Sequence, residues 1–215
     1  MVTSDTIQKA KTIFREHGGI LRTSEALELG IHPRTLSTMC DSGVLDRLAR
    51  GLYRLADLPP LSNPDLVTVA LKVPDGVICL VSALAFHDLT TEIPHSVDVA
   101  LEKGSWRPRL KHPPLRVFWF SGAAWREGVG TYQVDGVPIR ITTPAKTVAD
   151  MFKFRRQLGL DIALEALKEY RERDIFDVDE LLHYARVCRV DGVITPYLEA
   201  LLGLRTSQPP SIKDC

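Results

Sequence analysis

Pro33-Arg34-Thr35-Leu36-Ser37-Thr38-Met39-Cys40-Asp41-Ser42-Gly43-Val44-Leu45-Asp46-Arg47-Leu48-Ala49-Arg50-Gly51-Leu52-Tyr53-Arg54-Leu55 sets a helix directly against a hairpin. Proline is tolerated best in the first turn of a helix, so Pro33 opens one, and Gly43 supplies the positive φ that ends it. After Gly43 the apolar and polar residues alternate on both sides of Arg50-Gly51, which predicts two strands and a tight turn.

The residues upstream complete the pattern. Ser4 or Asp5 caps a helix running to Glu16, with Ile7, Ala10, Ile13 and Phe14 on one face and a stop at His17-Gly18-Gly19. Thr23 caps a short second helix ending at Gly30. Three helices followed by a hairpin make a winged helix-turn-helix. In that arrangement the second helix of the motif enters the DNA major groove, and its exposed N-terminal residues reach base edges. Those residues are Arg34, Thr35, Ser37 and Thr38, with Leu36, Met39 and Cys40 turned inward. Arginine can grip guanine with two hydrogen bonds, whereas threonine and serine suit phosphates and less specific contacts. Arg47, Arg50 and Arg54 equip the wing, and Arg50 at its tip is able to enter a minor groove.

Downstream, Asp57-Leu58-Pro59-Pro60-Leu61-Ser62-Asn63-Pro64 disfavours helix and sheet and reads as a linker. Domains are therefore expected at 1–58 (winged helix-turn-helix), 64–205 (α+β) and 206–215 (flexible tail), with the linker at 59–63. Within the middle part, Val77–Leu80 suits a strand or the start of a buried helix, and Ser82–Leu89 suits a helix. Val97–Leu101 and Leu115–Phe120 suit strands. Tyr132–Ile141 forms a hairpin about Asp135-Gly136, with Pro138 demoting the second arm towards an edge. Thr143-Pro144 opens a helix through Met151 and Phe154, and helices follow at 160–173, 177–189 and 196–204. The fold class is α+β, ending in a helical C-terminal part.

Composition narrows the function. With 27 Lys plus Arg against 27 Asp plus Glu, the net charge of zero excludes a polybasic protein that coats nucleic acid regardless of sequence. The zero conceals unlike pieces: residues 1–60 hold 8 cations and 7 carboxylates, residues 61–156 hold 12 and 9, and residues 157–215 hold 7 and 11. The longest apolar runs are about ten residues, half of what a membrane-spanning helix needs. The N-terminus lacks the charged and apolar regions of a signal peptide, so a cytoplasmic protein is expected. Cys40, Cys79, Cys188 and Cys215 are far apart and read as free thiols.

Catalytic and metal patterns are incomplete. His17, His32, His87, His95, His112 and His183 form no HExxH or HxH, and no cofactor motif is present. The strand around Asp98 resembles that of a nucleotidyltransferase or nuclease, but metal-dependent chemistry wants two or more convergent carboxylates, and Asp98 stands alone. A DNA-targeted enzyme using Asp98 is the alternative to a non-catalytic binder. The basic stretch from Lys103 through Arg107, Arg109 and Lys111 to His112, with Trp106 interleaved, suits phosphates, RNA or a partner protein, or plain solvent. Lys146, Lys153, Arg155 and Arg156 read as the solvated face of a basic helix.

Four runs carry a family resemblance: G-x-L-R-T-S-E-A-L-E-L-G-I-x-x-R-T-L from Gly19, G-V-L-D-R-L-A-R-G-L-Y-R-L from Gly43, V-S-A-L-A-F-H-D-L-T-T-E-I-P from Val81, and I-T-T-P-A-K-T-V-A-D-M-F from Ile141. Over residues 5 to 205 the chain resembles the AbiEi family, antitoxins of bacterial abortive-infection (type IV) toxin-antitoxin systems that act in phage defence. The resemblance implies a non-enzymatic repressor that binds inverted repeats in its own promoter and neutralises a nucleotidyltransferase-like toxin, directly or indirectly. It puts DNA contacts on Arg34, Thr35, Ser37, Thr38, Arg47, Arg50 and Arg54. Ser82, His87, Asp98, Lys103, Arg107, Arg109 and Lys111 are the candidates for an antitoxic surface. A monomer in solution is expected, with pairing on DNA left open.

Overall fold

The computed structural model describes residues 2–203; the flexible tail expected at 206–215, Cys215 and the end of the last helix at Leu204 lie outside them. The chain divides into two compact units. The first runs to Gly76 and takes in Trp106–Leu115 and Thr131–Ile139. The second comprises Val77–Ser105, Arg116–Gly130 and the chain from Arg140 onward. The first unit thus continues past residues 59–63, which Ser62 helps to secure by donating from its backbone N–H (2.9 Å) and hydroxyl (3.0 Å) to Asp135 Oδ2.

In the first unit, α1 (Ser4–Glu16), β1 (Ile20–Arg22), α2 (Thr23–Glu28), α3 (Pro33–Asp41), β2 (Leu45–Ala49), β3 (Leu52–Leu55) and α4 (Pro64–Lys72) follow in order. Ala10 and Phe14 of α1 pack with Leu21, Ala26, Ile31, Leu36, Met39, Leu45 and Leu55 into one core. Burial of each large side chain contributes about 1.5–3 kcal/mol, the main force holding three short helices to a small sheet. The strand order is β1-β3-β2, all antiparallel, and β1 is a third strand that sequence patterning overlooks. Gly51 carries φ +72° at the wing tip, and its carbonyl accepts from Thr23 N–H at 3.0 Å.

Two expected caps move by one residue. Thr3, not Ser4 or Asp5, caps α1, its hydroxyl accepting from Thr6 N–H. Thr23 is the first residue of α2, and Glu25 reaches back to accept from Arg22 N–H at 2.7 Å. The helix α4 starts where the prolines suggest a linker: Asn63 caps it and Pro64 occupies its first turn, the same pair of signals that opens a helix elsewhere in this chain.

The second unit begins with β4 (Val77–Ile78) and α5 (Leu80–Phe86), so the Val77 segment is both strand and buried helix start. Along the chain there follow β5 (Val97–Glu102), β6 (Leu115–Phe120), α6 (Ala123–Arg126), β7 (Val129–Val134) and β8 (Val137–Thr142), of which the stretch Thr131–Ile139 counts with the first unit, and then α7 (Pro144–Leu158), α8 (Leu160–Arg171), α9 (Val178–Cys188) and α10 (Asp191–Leu202). The sheet order is β6-β5-β4-β8-β7. Hence β7 is the edge and β8, the arm with Pro138, is interior. Proline is tolerated there because β4 is two residues long and meets β8 at Ile78↔Ile141, away from Pro138. Asp135 and Gly136 both have positive φ, as a two-residue hairpin turn requires. Helix α10 starts at Asp191, so Pro196 lies inside it instead of opening it. Around α7, Leu84, Val148, Met151, Phe152, Leu167, Tyr170 and Leu181 form the core of this unit.

Candidate nucleic-acid interface

Helix α3 shows why the interface has the composition it has. Thr35, Leu36 and Met39 are buried, and at 3.6 residues per turn they form one stripe that binds the helix to the core. Arg34 and Ser37 are exposed on the opposite side, and Thr38 is half-buried. Thr38 donates its hydroxyl to the Arg34 carbonyl at 2.9 Å. At the N-terminus His32 Nδ1 accepts from Arg34 N–H at 3.1 Å, fixing the backbone from which Arg34 projects. Thr35 is therefore corrected: at 4% exposure it packs inward beside Leu36 and does not face a base.

The wing divides its arginines in the same way. Arg47 and Arg50 are exposed. Arg54 is 7% exposed, and its guanidinium donates to the carbonyls of Pro59 and of Leu55 (3.5 Å). It ties β3 to the following segment and is not a DNA contact. In the register Asp46↔Arg54 and Arg47↔Tyr53, with a bulge between Arg47 and Ala49, the two arginines stand on neighbouring pairs and so on opposite faces. A residue that sequence reasoning misses supports the tip: Lys72 at the end of α4 donates from Nζ to the Arg50 carbonyl at 2.9 Å. Asn63-Pro64, read as a helix start, would have pointed to it.

The residues expected on an antitoxic surface do not all lie at the surface. Ser82 is buried; its hydroxyl donates to the Ser96 carbonyl at 3.3 Å and accepts from Asp98 N–H at 2.9 Å. Asp98 is fully buried and takes two bonds from Arg116, Nε at 2.7 Å and an NH2 at 2.9 Å, besides one from Val81 N–H at 3.1 Å. Its carboxylate holds the start of α5 and the β6 arginine, and in return raises the Arg116 pKa. Both oxygens are thus committed inside the fold. His87 is half-buried and bonded through Nε2 to the Thr142 carbonyl at 2.8 Å; burial pushes its pKa down, against that bond and Asp88. Lys103, Arg107, Arg109 and Lys111 are exposed, but Lys103 falls in the second unit and the other three in the first. Among the described residues no group of three His, Cys, Asp or Glu side chains could hold a metal ion. No helix among them is long and apolar enough to cross a membrane.

Lys146 also departs from expectation. It is fully buried on α7, bonded to Asp150 one turn on at 2.5 Å, while Asp150 accepts from the Cys188 thiol at 3.1 Å. Burial, reinforced by Asp150, pushes the Cys188 pKa up to about 12, so this thiol stays protonated and unreactive.

Residues 8–56 match the family described as "Transcriptional regulator, AbiEi antitoxin". That stretch is similar to the AbiEi antitoxin regulators. The AbiEi match runs from within α1 to the end of the wing, the segment that carries Arg34, Ser37, Arg47 and Arg50. The fold of the whole chain is similar to the crystal structure of the RV2827C protein from Mycobacterium tuberculosis, with a TM-score of 0.58 and 12% identity over 97% of this chain and 84% of that one. No curated protein matches.

Proposed function

We propose that this AbiEi-type regulator is the antitoxin and autorepressor of a type IV toxin-antitoxin operon of the abortive-infection, phage-defence kind. The winged helix binds inverted repeats in its own promoter. Arg34 and Ser37 read base edges, Thr38 contacts phosphate, and Arg47 and Arg50 hold the flanking backbone. The second unit counters a nucleotidyltransferase-like toxin, directly or indirectly. The observation that carries this reading is the sorting of α3, whose apolar stripe is buried while Arg34 and Ser37 stand in solvent, within a segment that matches an antitoxin regulator family.

Titrating the full chain against a duplex of its own upstream region tests the reading. Binding should weaken with salt, and Arg34→Ala should lose about 1–3 kcal/mol of discrimination between the repeat and an unrelated duplex. Equal affinity of Arg34→Ala, Arg50→Ala and the parent for the repeat at matched salt would overturn the assignment. Co-expression with the neighbouring toxin gene tests the antitoxin half: growth should be restored by the full chain.

A further inference from the structure

In the first unit a groove of about 770 Å³ lies between the wing, α4 and the loop that precedes β6. Its rim carries Arg47 and Arg50 from the wing, Lys72 from α4, and Arg109, Lys111 and His112 from the loop. Five formal positive charges thus converge from three segments, with no carboxylate in the lining, and none of the five forms an ion pair among the described residues. Lys72 is held by a neutral carbonyl, that of Arg50, which leaves its charge uncompensated. Trp106–Leu115 contributes three cations and no carboxylate to a unit whose remaining segments are otherwise balanced or acidic.

Like charges gathered round one groove repel each other, and an anion seated among them removes that repulsion. The cations are long side chains, exposed except for the half-buried Lys72, and do not form a fork around buried polar atoms. That suits point-charge contact with successive phosphates, which positions a protein on a duplex without reading sequence. Two of the six groups belong to the wing itself, so the groove continues the surface assigned above to operator DNA.

We propose that this groove seats phosphates of the operator's sugar-phosphate backbone beside the wing, which makes the loop of Arg109 and Lys111 part of the DNA footprint and not of the antitoxic surface. The proposal rests on the operator-binding reading and extends it to a second set of contacts. It also gives the Lys72 bond a purpose: the wing tip is braced against α4 to lie along a backbone, in place of the free insertion of Arg50 into a minor groove.

The test compares the full-length parent, Arg109→Ala/Lys111→Ala, and a control pair outside the groove, Lys103→Ala/Arg107→Ala. Each is titrated with the upstream duplex and with an unrelated duplex over a series of salt concentrations. For the groove pair, the slope of log K against log salt should become shallower by about 1.8, close to 0.9 for each phosphate no longer neutralised. Affinity for both duplexes should fall by the same factor, and toxin rescue should persist. The control pair should keep most of the parent slope. If the parent binds its operator and the groove pair keeps its slope, or both pairs change it equally, the groove is not a phosphate site. Loss of toxin rescue with DNA binding intact would return the loop to the antitoxic surface. Saturable binding of inorganic tripolyphosphate, abolished in the groove pair while its duplex slope is unchanged, would assign the groove to a small polyanion. A parent that binds neither duplex fails the operator reading itself and carries this proposal down with it, an outcome distinct from the others.

Discussion

Helices α3 and α7 begin alike and end with opposite duties. Each opens with a proline in its first turn, Pro33 after His32 and Pro144 after Thr143, and each mixes polar and apolar residues at short spacing. On α3 the cation Arg34 stands in solvent and the polar group turned inward is an uncharged threonine. On α7 Lys146, Thr147 and Asp150 are all buried. The start of a helix is a local matter of φ and capping. Which polar residues it displays depends on how many sides of it are packed, and α7 is enclosed by α5, α8 and α9 where α3 keeps one face open.

The largest effect should come from breaking the buried pair on α7. Asp150→Ala leaves Lys146 uncompensated, with a loss of about 3–5 kcal/mol in denaturant unfolding, and Lys146→Met/Asp150→Leu should recover most of it. A double variant as unstable as the single one would show that the pair does more than neutralise itself. Gly128→Ala strikes the same place from outside. Gly128 holds φ +69°, and an added Cβ would lie 2.6 Å from that of Lys146. Overpacking together with a left-handed alanine should cost about 2–4 kcal/mol.

Within the wing, Arg54→Ala should destabilise by about 1–3 kcal/mol through the loss of its carbonyl bonds, whereas Arg47→Ala should stay within about 0.5 kcal/mol of the parent. Equal unfolding curves for the two would contradict the division between a structural and a displayed arginine. The smallest effect belongs to His87. Burial holds its pKa below 6.5 in the fold, so as pH falls through 6.5 the unfolded chain takes up a proton that the folded chain resists. Stability should therefore be complete above pH 6.5 and decline below it, at no more than about 1.4 kcal/mol per pH unit from this residue. His87→Gln should flatten that decline in melting curves taken between pH 7 and pH 5.

The parts of the fold legible from sequence are those with a short-range signature. The α1 face of Ala10 and Phe14, the Pro33 start, the Arg50-Gly51 and Asp135-Gly136 turns and the aromatic strand Leu115–Phe120 all declare themselves within a few residues. The β1 strand does not, because three residues carry too little periodicity and owe their pairing to β3. Nor does α4, whose Asn63-Pro64 start lies within a run of prolines that reads as linker. The site is half legible. Arg34, Ser37, Arg47 and Arg50 are displayed as the helix and hairpin patterns require, but Thr35, Arg54, Ser82 and Asp98 are polar residues that the core has enlisted.

By itself, then, the sequence determined the three helices and hairpin of the winged helix and the cations offered on α3 and at the wing, since periodicity, proline and glycine act over one or two turns of chain. Only the tertiary structure decided that Lys146 is a core residue, that Arg54 and Asp98 serve the fold, and that Lys72, Arg109 and Lys111 meet Arg47 and Arg50 at one groove. Those outcomes depend on segments tens of residues apart coming together, and on the cost of leaving a buried charge or a crowd of like charges without a partner.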